Sequence, residues 1–375
     1  MADLSLAVFE KVVGSTPGFR PRAGQHDMAA CVATTLAQGD LGEHSTPTKA
    51  IAVIQAGTGV GKSAAYASTA IALALERKTR VLISTATVAL QEQLMGKDLP
   101  ALAQTMDKPF VFALAKGRGR YVCKLKLERL VGSGGSPDDL FDAENDAPKP
   151  SPFAKTLSQE EAEERRIQLY ETMATLLATQ QWDGDRDSLP EAPDPRDWST
   201  VAAERHTCTV RHCPRFRDCS YYEARTRLGE ANVIVANHDL VLASLGMKTL
   251  PELDNCLVIF DEGHHLPAVA LDQFSSSMDL SNLRWMDKCP KILQEVASTL
   301  HLQVGEDVTT ITSQLKAVLT QLARMAMEMV WEHTGRNADG AGQDGTLRFA
   351  HGVLPEALVE PLTQILAQAT GLSKA

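Results

Sequence analysis

At 375 residues, 44% of them apolar and 22% charged, the chain has the composition of a globular protein and the length for two or three domains. No apolar run reaches the roughly 18 residues that a membrane-spanning helix needs, so we expect no membrane span. The first residues lack a basic segment followed by an apolar core, so we expect no secretory signal and a cytoplasmic location. In that reducing compartment the seven cysteines should be metal ligands or free thiols.

The net charge of −10 is unevenly distributed along the chain. Residues 116–129 carry six basic side chains against one acid, and residues 205–227 carry six arginines against two acids. These two basic windows hold net charges of +5 and +4, so the remaining residues hold −19. A basic region in an acidic chain is typical of a surface that contacts a phosphate backbone. Solvated arginines on a helix face are the alternative.

The first segments predict two helices, over residues 5–13 and about 26–37, with Gln25 immediately before the second. An amide side chain both donates and accepts hydrogen bonds. Gln25 could therefore recognise adenine if a nucleotide binds nearby. A glutamine with structural contacts only is the alternative.

A strand, a glycine-rich turn and a helix are predicted in direct succession over residues 51–77. The β-branched side chains of residues 51–54 predict a buried strand, and apolar residues at helical spacing after residue 63 predict the helix. Glycines let the intervening backbone curl so that its N–H groups point at a phosphate beside the positive end of the helix. The nucleotide-binding residues predicted in this phosphate loop are Gly57, Thr58, Gly59, Gly61, Lys62 and Ser63.

Within the loop, Lys62 would reach the β- and γ-phosphates of ATP, and Ser63 would place its hydroxyl on Mg²⁺. The usual glycine at the first position of the motif is replaced by Ala56, which is common in helicase-type loops. A chance glycine-rich turn is the alternative, and the strand and helix on either side argue against it.

A second strand is predicted at residues 80–85, with a helix beginning near Val88 and a third strand at residues 110–115. Small hydroxyl groups follow the second strand, at Thr85 and Thr87. Such groups at the carboxyl end of a strand commonly hold phosphates of a nucleotide or a nucleic acid, and simple helix capping explains them equally well.

Four cysteines lie in the two basic windows, one in the first and three within twelve residues of the second. Four thiolates suit either Zn²⁺ or an iron–sulfur cluster. Zinc sites usually contain two closely spaced pairs, so the one-plus-three arrangement favours a 4Fe–4S cluster, while His206 and His212 keep zinc open. The predicted ligands are Cys123, Cys208, Cys213 and Cys219.

The apolar strand predicted at residues 256–260 delivers two adjacent acids, Asp261 and Glu262. In a nucleotide-hydrolysing enzyme, Asp261 would hold Mg²⁺, and Glu262 would activate the attacking water as general base. From residue 277 onward the pattern is helical and carries little chemistry, with helices predicted at about 289–302, 308–334 and 356–368.

Together these motifs resemble the iron–sulfur superfamily-two DNA helicases of the XPD type, and most closely the bacterial DinG-type helicases. The segments that carry the resemblance are Gln25, residues 56–63, 84–91, 117–123, 236–240 and 261–264, and the cysteine triplet. Residues 261–264 match the family's DEAH box with glycine in place of alanine.

The resemblance implies an ATP- and Mg²⁺-dependent enzyme that moves 5′→3′ on single-stranded DNA, including forked or R-loop DNA, with a 4Fe–4S cluster and a role in DNA repair. It implies a monomeric bacterial protein of the cytoplasm. It adds His264 to the nucleotide site. The DNA-binding residues that it implies are Thr85, Thr87, Gln91, Arg118, Arg120, Tyr121, Asn237 and His238.

The fold expected from the resemblance is α/β, a RecA-like P-loop motor domain with a parallel sheet. The motor domain would comprise residues 1–115 and 231–275, interrupted by an iron–sulfur domain at 116–230 that contains a flexible insertion at 131–158. A helical, arch-like and incomplete domain would follow at 276–375.

The family's second motor domain, with its Ser-Ala-Thr and Gln-x-x-Gly-Arg-x-x-Arg motifs, is not found in these residues. We therefore expect the amino-terminal half of such a helicase, weakly active or inactive alone. One alternative is a nucleotide-gated DNA-binding or regulatory module that does not unwind DNA. Another is a phosphate-loop kinase-like enzyme with a structural zinc.

Overall fold

The computed structural model describes residues 1–15, 22–39, 50–57, 59–132, 159–205, 207–247, 250–251, 255–281, 283–300, 308–335 and 347–374. The chain divides into two compact units, Met1–Ser275 and Ser276–Ala375. Among the described residues, no helix is both long and apolar enough to cross a membrane.

A four-stranded parallel sheet forms the centre of the first unit. Its strands are β1 (Arg80–Thr85), β2 (Phe112–Leu114), β3 (Val233–Asn237) and β4 (Cys256–Phe260), in the spatial order β2-β3-β1-β4. Ser84 on β1 is in register with Ala236 on β3 and with Phe260 on β4. Because the strands are parallel, their carboxyl ends meet at one edge, where α/β proteins place their binding sites.

Helices cover both faces of the sheet. Those of the first unit are α1 (Ala2–Gly14), α2 (Ala23–Gln38), α3 (Lys62–Arg77), α4 (Val88–Gln93), α5 (Leu99–Thr105), α6 (Lys124–Gly132), α7 (Gln159–Ala178), α8 (Pro195–Val201), α9 (Ser220–Glu230), α10 (His238–Met247) and α11 (Leu266–Gln273). Successive side chains of β1 alternate between the faces. Val81 and Ile83 pack in one core with α3, and Leu82 packs in another with Leu228 of α9 and Val241 of α10.

The segment between β2 and β3 builds a small core of its own. Trp182 and Trp198 meet edge to face at 6.4 Å between ring centroids, beside the buried side chains of Leu127, Tyr170 and Met173. Aromatic pairs in this geometry stabilise a core beyond their buried area. This segment therefore has a hydrophobic centre separate from the two cores against the sheet.

The second unit contains α12 (Trp285–Leu300), α13 (Val308–Gly335) and α14 (Glu356–Lys374). Met286, Leu315 and Leu319 form its buried centre, with Ile365 and Leu372 of α14 packed against them. The predicted helices of this region are confirmed, with ends that shift by a few residues.

The strands predicted at residues 80–85 and 256–260 are confirmed, and the strand predicted at 110–115 is shorter than expected. The prediction of a buried strand at residues 51–54 is wrong: the segment is in no sheet, and Ile51 and Val53 are 82% and 96% exposed. β-branched residues favour an extended backbone, but a strand also needs a partner edge, and no described strand pairs with this segment. Of the insertion predicted at 131–158, residues 133–158 lie outside the described part of the chain.

Candidate functional site: a phosphate loop facing two acids

The phosphate loop leads into α3, whose buried face begins at Ala65. Gly59 and Gly61 have φ values of +79° and +90°, in the left-handed region that residues other than glycine rarely adopt. A Cβ atom at Gly61 would also lie 2.3 Å from Nε2 of Gln25. Gly57 is exposed with nothing nearby, and Thr58 lies outside the described residues.

Two side chains from the start of α2 hold the loop from behind. Nε2 of Gln25 donates to the carbonyl oxygen of Gly61 at 2.9 Å, and Arg22 donates to the carbonyl oxygen of Gly59. Gln25 is buried, and its Oε1 has no hydrogen-bond partner in the described structure. The amide nitrogen of Gln25 therefore supports the loop, and the amide oxygen remains an unpaired acceptor in the described structure. The role of Gln25 in recognising adenine stays a prediction.

Asp261 and Glu262 follow β4 and face the loop. The N–H of Asp261 donates to the carbonyl oxygen of Ser84 at 2.8 Å, which extends the pairing of β4 with β1 by one residue. Glu262 has a left-handed backbone, with φ of +56°, and its Oε1 lies 2.6 Å from Nζ of Lys62. Lys62 and Glu262, two of the three predicted catalytic residues with Asp261, are thus in direct contact although they lie 200 residues apart in sequence.

The charges of the site depend on this contact. The hydrogen bond and the positive charge of Lys62 lower the pKa of Glu262, with partial burial acting against them. The pair therefore stabilises the fold at neutral pH, and this contribution is lost as the pH falls through the folded-state pKa of Glu262. Nδ1 of His264 lies 3.4 Å from the other carboxylate oxygen, and the His264 side chain is exposed.

Tyr66 is a residue of the site that the sequence analysis did not identify. Its hydroxyl donates to Oδ2 of Asp261 at 3.0 Å, and Oδ1 of the same carboxylate accepts from the N–H of Glu262 at 3.1 Å. Burial and the charge of Asp261 raise the pKa of Tyr66 well above its ordinary value, so the hydroxyl stays protonated and can donate. The sequence did contain one indication of this role. Tyr66 is the only aromatic residue in a predicted buried, alanine-rich helix, and buried tyrosines usually form a hydrogen bond through the hydroxyl.

Five of the residues predicted to bind DNA lie at the ends of β1 and β3 or in the segments that follow these strands, and they differ in exposure. Thr85, Gln91 and His238 are buried, whereas Thr87 is exposed and Asn237 is half-buried. The Thr87 side chain accepts from the N–H of Leu90 at 3.3 Å and caps α4, so the capping alternative holds for this residue. Asn237 accepts from the N–H of Leu240 and caps α10 in the same way.

The remaining predicted DNA-binding residues lie before α6. The guanidinium of Arg118 stacks on the Tyr221 ring at 4.2 Å, and Arg120 pairs with Asp187, with its Nε 3.3 Å from the carboxylate. Tyr121 is buried and meets Tyr221 edge to face. The expected basic surface is thus partly neutralised by local acids. Further ion pairs in the two basic windows join Lys116 to Asp185 and Asp187, Lys124 to Asp218, Lys126 to Glu204, and Arg215 to Glu128 and Asp218.

The four predicted cluster ligands are half-buried free thiols. Burial raises the pKa of Cys219, and the nearby sulfurs of Cys123 and Cys208 raise it further. Three of the four thiols therefore share one neighbourhood. Within the described residues, however, no three His, Cys, Asp or Glu side chains converge closely enough to hold a metal ion. The cluster stays a prediction.

A glycine-rich loop that opens a buried helix, facing an acid pair at the end of a parallel strand, is the arrangement found in α/β nucleotide-binding proteins of the P-loop class. The parallel sheet is of the kind that RecA-like helicase domains contain. Comparison with known proteins narrows the class, because the family model described as DEAD_2 matches residues 207–283, which include the acid pair.

The chain is 34% identical over 354 residues to the ATP-dependent DNA helicase DinG of Photobacterium profundum, over 92% of this chain and 47% of that protein. It is 33% identical over 364 residues to the protein of the same name from Escherichia coli (strain K12), over 94% of this chain and 47% of the relative. The chain spans about half the length of the curated relatives it matches. The predicted resemblance to the DinG-type helicases is confirmed over nearly the whole of this chain.

Proposed function

We propose that this chain is the ATP- and single-stranded-DNA-binding part of an ATP-dependent DNA helicase of the DinG type that moves 5′→3′. The 2.6 Å contact between Lys62 and Glu262 carries the proposal, because these two residues are the proposed phosphate-binding cation and the proposed general base. The relatives are named ATP-dependent DNA helicases, which supports the same activity.

The proposed chemistry assigns each group of the site one task. Lys62 would leave Glu262 and contact the β- and γ-phosphates, while the N–H groups of the loop hold the remaining phosphate oxygens. Released from Lys62, the Glu262 carboxylate would take a proton from the attacking water. Gly61 lets the loop pack closely against Gln25, since a side chain there would collide with the Gln25 amide.

Ser63 and Asp261 fit the Mg²⁺ that such a reaction uses. Both supply oxygen ligands, which Mg²⁺ prefers. The Asp261 carboxylate is fixed by Tyr66 and by the N–H of Glu262, so one orientation is held without a metal. When bound, the ion would neutralise charge on the phosphates.

We further propose that Cys123, Cys208, Cys213 and Cys219 hold a 4Fe–4S cluster. Backbone contacts support a common site, because they bring Cys123 close to the chain that leads to the other three cysteines. Val122 and Ala202 form a β-bridge, and the N–H of Cys123 donates to the carbonyl oxygen of Val201 at 2.7 Å. A set of four thiols suits an iron–sulfur cluster better than a hard cation, which prefers oxygen ligands.

Single-stranded DNA, including forked or R-loop DNA, is the proposed polymer substrate. The exposed hydroxyl of Thr87 and the half-buried side chains of Asn237, Arg118 and Arg120 would contact it. Phe216 and Tyr222, whose rings lie 4.7 Å apart beside Arg118, offer stacking surfaces for bases. Phosphate contacts would make the affinity fall as salt rises.

The experiment that tests the proposal measures binding of fluorescent ADP with Mg²⁺, and binding of oligo(dT), to the full chain. Replacing Lys62 with Ala should weaken ADP binding by about 10- to 100-fold, the usual value of a charge-assisted bond to phosphate. The matched control is Lys108→Ala, which breaks an exposed Lys–Glu pair of the same 2.6 Å length with Glu76. Equal ADP affinity for Lys62→Ala and the wild type would overturn the phosphate-loop assignment.

A further inference from the structure

His238 is buried at the point where three strands of the sheet end. It follows β3 directly, and the neighbouring Asn237 is in register with Thr85 at the end of β1. Only 1% of its surface is exposed, so its ring has no face for DNA. The ring instead lies among protein groups, with the Phe260 ring of β4 at 5.9 Å between centroids.

The two ring nitrogens of His238 have different surroundings. Nδ1 shares a hydrogen bond of 2.6 Å with the hydroxyl of Ser84, one residue before Thr85. Nε2 is buried and has no hydrogen-bond partner in the described structure. When the Ser84 hydroxyl donates to Nδ1, Nε2 carries the proton and is a buried donor without an acceptor. An unpaired buried donor destabilises the structure, so a nearby acceptor would be favoured.

The nearest candidates for that acceptor are in the backbone of the acid pair. Burial lowers the pKa of His238, and hydrogen bonding to the backbone of Glu262 and Asp261 raises it, so both residues lie beside the ring although neither makes a hydrogen bond of ordinary geometry to Nε2. Glu262 has a left-handed backbone and is held by Lys62. If Lys62 moves to a phosphate, the turn at Glu262 loses that restraint and its backbone can shift toward Nε2.

We propose that His238 is a positioning residue that couples the nucleotide site to the DNA-facing end of β1. One edge of the ring fixes Ser84, and hence Thr85 and the helix cap at Thr87. Nε2, on the other edge, would form a hydrogen bond with the backbone of Asp261 or Glu262 when that turn changes its position. A bound nucleotide would thus alter the affinity for DNA, and DNA would alter the affinity for nucleotide by the same factor. The inference rests on the proposed function.

The experiment measures this factor as a ratio. The affinity of the full chain for fluorescent ADP with Mg²⁺ is determined without DNA and with saturating oligo(dT). Coupling between two sites is typically about 5- to 150-fold, and we expect a wild-type ratio in that range. In His238→Asn the short amide can still reach Ser84 but not the acid turn. In this variant, the ADP affinities with and without oligo(dT) should differ by no more than about twofold, while the ADP affinity without DNA stays near that of the wild type.

Two further variants separate positioning from folding. His238→Gln places an amide where Nε2 lies and should restore part of the ratio. His265→Asn changes an exposed histidine beside the same turn and should leave the ratio unchanged. Urea unfolding checks that each of these variants folds.

A wild-type ratio of one, or an unchanged ratio in His238→Asn, would overturn the inference and leave the proposed function standing. A role in folding alone would lower stability and keep the ratio. Absence of both ADP and oligo(dT) binding in the wild type would instead contradict the proposed function itself.

Discussion

Lys62 and Glu262 form an ion pair of 2.6 Å across the phosphate loop, and in the proposed mechanism each would release the other before hydrolysis. Lys62 cannot reach a phosphate while it holds the carboxylate. Glu262 is a poor base while Lys62 lowers its pKa. In the proposed mechanism, the ion pair would keep the site inactive until a triphosphate competed for the lysine.

This relationship predicts that Glu262→Gln binds nucleotide at least as tightly as the wild type. The amide removes the charge that competes for Lys62, so ADP affinity should be unchanged or rise by up to about tenfold, roughly 1.4 kcal/mol. Hydrolysis of ATP, which we expect to be slow in this chain alone, should fall to the background rate in the presence of saturating oligo(dT), because the general base is lost. Glu76→Gln, in the exposed pair with Lys108, is the control. Weaker ADP binding by Glu262→Gln would show that the carboxylate helps to hold the nucleotide.

Gly61→Ala should destabilise the first unit, whereas Gly57→Ala should not. Alanine at Gly61 meets both a φ of +90° and Nε2 of Gln25 at 2.3 Å, and such strain costs about 1–3 kcal/mol. Gly57 has neither restriction, so its replacement should stay within about 0.5 kcal/mol. Urea unfolding gives the difference between the two variants. Equal stabilities would mean that the loop and Gln25 do not pack as described.

The parts of the site encoded by neighbouring residues were predictable from sequence. β4 and its two acids were identified at the observed positions, because an apolar run ended by carboxylates is a local signal. Residues 51–54 were predicted as a strand from their β-branched side chains, but propensity alone does not make a strand, which also depends on a partner edge. Contacts between distant residues were equally hidden. The bond from Tyr66 to Asp261 joins residues 195 apart, and nothing in either segment specifies the other.

Cys213→Ser should lose the iron that the proposed cluster contains. After anaerobic purification, its iron content and its broad absorbance near ~400 nm should fall to about half the wild-type values or less. Cys31→Ser, which changes an exposed thiol on α2, is the matched control and should keep both. A wild-type protein that contains zinc and no iron would contradict the cluster and favour the zinc alternative.

Asp187→Asn should strengthen binding to single-stranded DNA. Asp187 pairs with both Arg120 and Lys116, and these cations lower its pKa against the effect of burial, so the pairs are intact at neutral pH. Without the carboxylate, Arg120 is available to a phosphate, and the slope of log affinity against log salt should steepen by about 0.7 for one added contact. Adding Arg120→Ala to Asp187→Asn should abolish the gain. Asp287→Asn, which breaks a Lys–Asp pair in the second unit, should have no effect. Weaker binding by Asp187→Asn at matched stability would place Arg120 outside the DNA contact.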